Sequence, residues 1–165
     1  MKLKYKSFRE CLKHEYKGPY AATDVIIRHD NGKKKGIVLI ERKNFPYGIS
    51  LPGGMAERMP FPENAIKEGK EETGLNVKID NPLQPLCVLS NVNQDPREFI
   101  ASITYTGEGT GRLKPHKDED AKSAAVYTLE EIAEMLDKPV WAFPRHHPKI
   151  FKIYLNSINF WKNKK

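Results

Sequence analysis

The chain predicts an α/β fold of the α+β kind, a mixed β-sheet with helices packed on it. Three observations carry this. Strand-like and helix-like segments alternate irregularly along the chain. Asp30-Asn31-Gly32 separates two strand-like runs, and an Asn-Gly turn joins antiparallel neighbours. The second run, Ile37 to Ile40, is continuously apolar, as in a strand buried on both faces.

In chain order, Ala22 to His29 reads as the first strand and Gly36 to Arg42 as the returning one. The stretch "GISLPGG" reads as a short strand leading into a glycine turn. A helix is expected over 62–73. Pro62 suits its first turn, where a missing N–H costs nothing, and Gly74 suits the left-handed residue just past its end. "PLCVLSNV" and "EFIASITYT" read as strands joined by the turn Asn93 to Pro96, and "GEGTGRLKPHKDED" reads as a polar loop. "SAAVYTL" is a last strand. Thr128 and Glu131 form a capping box for a helix running from Glu130 to Leu136. A closing helix over 148–162 shows a stripe of Ile150, Tyr154, Ile158 and Trp161.

At 165 residues the chain is expected to form a single domain, with its core over about 20–150. With 39% hydrophobic and 10% aromatic residues it has the make-up of a globular protein. No apolar run is long enough for a transmembrane helix, and the basic N-terminus lacks the apolar block of a signal peptide, so a cytoplasmic protein without membrane association is expected. Cys11 and Cys87 are read as two free thiols. The net charge of +7 favours anionic partners such as nucleotides, phosphates or RNA. No aromatic-interleaved basic surface is visible, and no DNA partner is expected.

The chemistry concentrates in "LPGGMAERMPFPENAIKEGKEETGL", Leu51 to Leu75. At about 100° per residue, Glu68, Glu71 and Glu72 share one arc of the helix, with Pro62, Ile66, Gly69 and Thr73 on the side expected to be buried. Like charges at this spacing repel, and a divalent cation would offset the repulsion. Lys67, four residues before Glu71, can pair with it. A solvated acidic face is the plain alternative. The glycines ahead of the helix favour the cation, because Gly53 and Gly54 can bring backbone N–H groups close to a phosphate.

This segment resembles the box of the Nudix hydrolases, G-x5-E-x7-R-E-U-x-E-E-x-G-U, with U aliphatic. Here it reads Gly53 … Lys67-Glu68-Gly69-Lys70-Glu71-Glu72-Thr73-Gly74-Leu75. The flanks "GIVLIERKNFPYGISLPGG", "NQDPREFIASITYTG", "DEDAKSAAVYTLEEI" and "AFPRHHPKI" resemble those of ADP-ribose pyrophosphatase-like members, so the likeness runs from about Tyr20 to Ile150. The resemblance implies a mixed sheet sandwiched between helices. It also implies Mg²⁺, or Mn²⁺ in its place, held by Glu68, Glu71 and Glu72. The implied reaction is hydrolysis within the pyrophosphate of a nucleoside diphosphate linked to another group. It further implies a base drawn from Glu71 or a later acidic loop, where Glu119 and Asp120 fit best and Asp118 is near. Arg42, Arg97 and the backbone of Gly53 and Gly54 would bind substrate. Relatives are often dimers, so a homodimer is open.

Three positions depart from the box. Met59 or Pro60 stands where its first glutamate belongs. Lys67 replaces an arginine and lacks its planar fork. Gly69 replaces an aliphatic residue, which is expected to leave a gap under the helix and to cost about 1 kcal/mol in helix propensity. The intact carboxylate cluster favours a working, slowed enzyme, since lost supporting contacts typically cost about 10–100-fold. A nucleotide-binding module without turnover is the rival, and removal of pyrophosphate from RNA 5′ ends is a third reading favoured only by charge. The subfamily markers for substrate are absent, with Ser90 where ADP-ribose-cleaving members carry proline. Surface exposure is the ordinary reading of Arg42, a cross-strand ion pair that of Arg97 and Glu98 alike, and core packing that of Trp141 and Phe143. His146-His147 is expected to be a partly exposed loop pair.

Overall fold

The computed structural model describes residues 5, 7–15, 18–115 and 120–164. Helix α1 (Phe8–Glu15) precedes β1 (Tyr20–Asp30), β2 (Lys35–Arg42), β3 (Ile49–Ser50) and β4 (Gly53–Met55). Helix α2 (Phe61–Thr73) follows, then β5 (Asn76–Ile79), β6 (Cys87–Leu89), β7 (Ile100–Thr110) and β8 (Ala121–Tyr127). The chain closes with α3 (Leu129–Met135), α4 (His147–Ser157) and a 3₁₀ turn at Phe160–Lys164.

The sheet is mixed. Its main path runs β3-β2-β1-β7-β5, with β8 also on β2, β4 on β1 and β6 on β7. Among the described strands only β1 and β7 pair in parallel, with Tyr20 opposite Ile100 and Arg28 opposite Glu108. The expected hairpin is present, with Arg28 opposite Ile37 and Asp30 opposite Lys35. Asn31 builds its turn by accepting the Lys33 and Lys34 N–H groups.

Side chains alternate across this sheet, so one strand feeds two cores. Ile26, Ile37 and Leu39 pack with Leu51, Ile132, Ile150, Phe151 and Leu155, beneath α3 and α4. Val25, Ile27 and Val38 pack on the other face with Ala65 and Leu75 at α2. The continuously apolar stretch of β2 therefore reflects a sheet covered on both sides, as expected.

Helix ends follow local chemistry. Pro62 lies in the first turn of α2, and Gly74 takes φ 77° beyond its end, where its N–H donates to Lys70 O (2.7 Å). Thr128 and Glu131 make the reciprocal capping box of α3.

Several sequence expectations are corrected. The strand in "PLCVLSNV" is only Cys87–Leu89, and that in "EFIASITYT" starts two residues later and runs on to Thr110, taking in the start of the supposed loop. Gly109 permits this by lying against Ile27 and Leu75, where a Cβ would collide. The closing α-helix ends at Ser157, and Ile158 and Trp161 are exposed rather than continuing the buried stripe of Ile150 and Tyr154. Gly69 leaves no gap. A Cβ there would lie 3.1 Å from Val77 Cγ2, 3.2 Å from Val25 Cγ1 and 3.3 Å from Ile27 Cδ1. The missing side chain lets α2 sit directly on the sheet.

Candidate functional site

A cleft of about 220 Å³ opens between the middle of α2, the edge formed by β4, and the loops before β7 and α4. Glu68 and Glu72 line it from α2. Glu72 is 2% exposed, so the helix does not turn all its carboxylates away from the core as the wheel implied. The register explains this: one helical turn separates Glu72 from Glu68, and Glu72 points inward beside buried Thr73.

Gly53 N–H donates to Glu72 Oε2 (2.8 Å). Gly53 and Gly54 belong to β4, paired with β1, and do not form a free turn. The Gly53 amide expected to hold a phosphate is thus committed to a carboxylate. Gly54 serves a different purpose: a Cβ there would overlap the Glu68 carboxylate. Burial pushes the Glu72 carboxyl up to about 8, the Gly53 N–H opposes this, and the Glu68 charge adds to it.

Glu71 is not among the residues lining the cleft. It pairs with Lys67 on the flank of α2 (Nζ to Oε2 3.0 Å), as the i,i+4 spacing predicts. Lys67 also reaches Glu57 Oε1 (2.9 Å) and lies 3.5 Å from Glu68 Oε1. Glu57 thus brings a carboxylate to α2 from two residues before Met59, which sequence reasoning missed because it counted fixed spacings.

Arg42 and Arg97 both line the cleft, each with its guanidinium 5.3 Å from the centre of the Phe143 ring. Arg42 is buried, not a surface arginine. Its Nε donates to Pro46 O (2.9 Å) and its Nη2 pairs with Asp120 Oδ2. Asp120 Oδ1 accepts the Asn44 N–H (3.0 Å), so this carboxylate lines the cleft already engaged on both oxygens. Arg97 precedes β7 and pairs two-pronged with Asp95, at 3.0 and 2.8 Å. Its partner lies two residues away and not across a strand, and Glu98 accepts the Phe99 N–H. Asp118 and Glu119 lie outside the described residues. Trp141 is core, its Nε1–H donating to Met135 O (2.8 Å).

The His146-His147 pair is buried, not loop-exposed, at 5% and 1%. Both amides donate to Phe143 O (3.0 Å), a tight turn that carries the rings inward at the start of α4. They face Asp24 of β1, and the three offer ligand atoms within 4.8 Å of one another. A lone acid inside the apolar run of β1 was the signal that could have found this cluster.

The family model for the NUDIX domain matches residues 18–148. The chain belongs to the Nudix family. No curated protein matches it. Among solved structures, an ADP-ribose pyrophosphatase from Streptococcus suis is similar at 20% identity and a TM-score of 0.63, with 86% of this chain and 92% of that one covered. The NUDIX domain of Shewanella oneidensis NrtR, complexed with ADP ribose, is similar at 18% identity and a TM-score of 0.67, over 92% and 99%. A NUDIX hydrolase from Nitrosomonas europaea gives 17% and 0.68, over 88% and 74%. At these identities the likeness is one of fold: the mixed sheet between helices described above is the Nudix fold.

The Nudix box thus spans β4 and α2, and this pairing of a glycine strand with a glutamate helix sets Glu68 and Glu72 side by side. The donors are all oxygen and one is deeply buried. Such a set fits a hard divalent cation. Among the described residues no helix is long and apolar enough to cross a membrane.

Proposed function

We propose that this Nudix domain hydrolyses the pyrophosphate bond of a nucleoside diphosphate linked to another group, with an ADP-ribose-like molecule as substrate and Mg²⁺, or Mn²⁺, as cofactor. The observation that carries the reading is the pair Glu68 and Glu72 in one cleft with Arg42 and Arg97. Carboxylates and guanidinium groups lining one cleft suit a cation-bound diphosphate. ADP-ribose is favoured by the flanking sequence and by relatives whose names carry that ligand.

Glu68 and Glu72 would hold the cation, with Glu71 adding charge from the flank. The cation supplies polarisation of the phosphoryl oxygens and a lowered pKa for water. Gly53 orients Glu72 through its N–H, and Gly54 gives Glu68 room to lie against the strand. Arg97, fixed by Asp95, and Arg42, fixed by Pro46 O and Asp120, present their guanidinium groups with little orientational freedom left to lose. Glu71, Glu119 and Asp120 are the proposed sources of the base that takes the water proton. Asp120 would first have to loosen its pair with Arg42, which gives Glu119, its neighbour in sequence, the better claim.

The test is release of nucleoside monophosphate from ADP-ribose, NADH, dinucleoside polyphosphates and nucleoside triphosphates, with Mg²⁺ or Mn²⁺, beside Glu72→Gln. Metal-dependent AMP release that vanishes in the variant supports the hydrolase. Ligand-induced stabilisation with no product on any substrate replaces it with a binding module.

A further inference from the structure

The cleft wall nearest β1 carries polar groups that phosphate and cation binding do not use. Asp24 is 8% exposed and its Oδ2 accepts the Ser102 hydroxyl. His146 Nε2 lies 3.9 Å from Asp24 Oδ2, and His147 Nε2 lies 3.9 Å from Asp24 Oδ1. Both gaps are too long for a hydrogen bond. Both Nε2 atoms are buried and lack a hydrogen-bond partner. Leaving such atoms unpaired is costly, and the rings are held there by packing on Phe143 and each other.

The protons on these rings decide what can bind. Leu51 N–H donates to His147 Nδ1 (3.3 Å), so Nδ1 presents its lone pair. Burial keeps His147 neutral, holding its pKa well below the usual histidine value. The proton of a neutral ring with Nδ1 accepting sits on Nε2. An Nε2–H cannot ligate a cation, which argues against His147 as a ligand in a metal centre with Asp24 and His146 despite their spacing. What fits between an imidazole N–H and a carboxylate oxygen is a group that accepts from one and donates to the other. A hydroxyl does both. An oxygen about 2.8 Å from each end of such a gap has its two partners about 90° apart, so its O–H can aim at the carboxylate while a lone pair accepts from the ring. Two such gaps share one carboxylate, so the two hydroxyls belong on adjacent carbons.

We propose that Asp24, His146 and His147 clamp the vicinal diol of a ribose in the substrate, each hydroxyl bridging one carboxylate oxygen and one imidazole Nε2. This rests on the reading of the cleft as a nucleoside-diphosphate site. The position supports it: a Cβ on Gly53 would lie 2.7 Å from Asp24 Oδ1, and the same residue's N–H holds Glu72. Clamp and cation carboxylates are therefore separated by one strand residue, as a ribose is from its own phosphate. The diol can come from the nucleoside or from the sugar beyond the diphosphate.

The experiment is isothermal titration of the metal-free, full-length protein, so that binding is read without turnover. The ligands are ADP-ribose, its 2′-deoxyadenosine analogue and ADP methyl ester. The clamp predicts that one of the two deficient ligands binds about tenfold or more weaker than ADP-ribose, and which one names the source of the diol. Asp24→Asn should erase that difference while changing the deficient ligand's affinity by no more than about twofold. If Asp24→Asn does not fold, His147→Gln is read the same way. Equal affinities for all three, a difference that survives the variant, or no binding of any ligand overturns the clamp. So does Zn²⁺ binding one to one in the wild type and lost in His147→Gln. AMP release from ADP-ribose with Mg²⁺, measured separately, judges the hydrolase reading whichever way the clamp falls.

Discussion

On the proposed reading of Glu72 as a cation ligand, cation binding and pH are inseparable. The Glu72 carboxyl, raised from 4.5 to about 8 chiefly by burial, must lose a proton before it can ligate. In the metal-free protein about 1% of this group is ionised at pH 6 and about nine-tenths at pH 9, so the apparent affinity for Mg²⁺ should rise roughly 100-fold across that range. The slope should approach tenfold per pH unit below pH 7 and flatten above 8. Stability carries the same signature. A carboxyl whose folded pKa is raised contributes stability below pH 4.5, and that contribution is lost as pH climbs through 8. At most roughly 5 kcal/mol is involved, so the melting temperature of the metal-free protein should fall between pH 6 and 9 and saturating Mg²⁺ should reverse the fall. Calorimetric titration of Mg²⁺ at pH 6, 7, 8 and 9, on wild type and Glu72→Gln, reads both effects. A flat affinity profile, or a Glu72→Gln variant that keeps the wild-type slope, refutes the argument that this buried carboxyl is the ligand that titrates.

Gly69→Leu should cost about 1–3 kcal/mol, because its side chain meets Val25, Ile27 and Val77 already within 3.3 Å of a Cβ; thermal melting measures it. Gly54→Ala should displace Glu68 and cut turnover about tenfold or more while shifting the melting temperature little, an outcome read by kcat beside differential scanning fluorimetry. Thr128→Ala removes the acceptor for the Glu131 N–H and should lower stability by about 1 kcal/mol in urea titration, with kcat/KM unchanged.

The sequence made legible what depends on short-range rules. The Asn-Gly hairpin, Gly74 beyond α2, the Thr128–Glu131 box and the Lys67–Glu71 pair all rest on residues within four positions of each other, and each is present. What it hid depends on residues far apart. Glu72 looked exposed because helical periodicity says nothing about the strand opposite, and it is Gly53 on β4 that receives it. Gly69 looked like a defect because the closeness of Val25 and Val77 is a tertiary fact. His146 and His147 looked like loop residues because Asp24 stands more than a hundred positions earlier. Helix α1 passed unread within a basic segment that drew attention only as a missing signal peptide.

The parallel pairing of β1 with β7 also sets the order in which the site is made. Partners in that ladder stand eighty residues apart, as Tyr20 and Ile100 do. Closing so long a loop carries an entropic cost before any contact repays it, and sheets built this way form slowly. The β1–β2 hairpin and α2 can gather early, but the histidines that face Asp24 leave the ribosome after both. A nascent chain released before α4 would present the glutamates without the opposite wall of the cleft. Cation affinity should therefore emerge during synthesis before diol selectivity does.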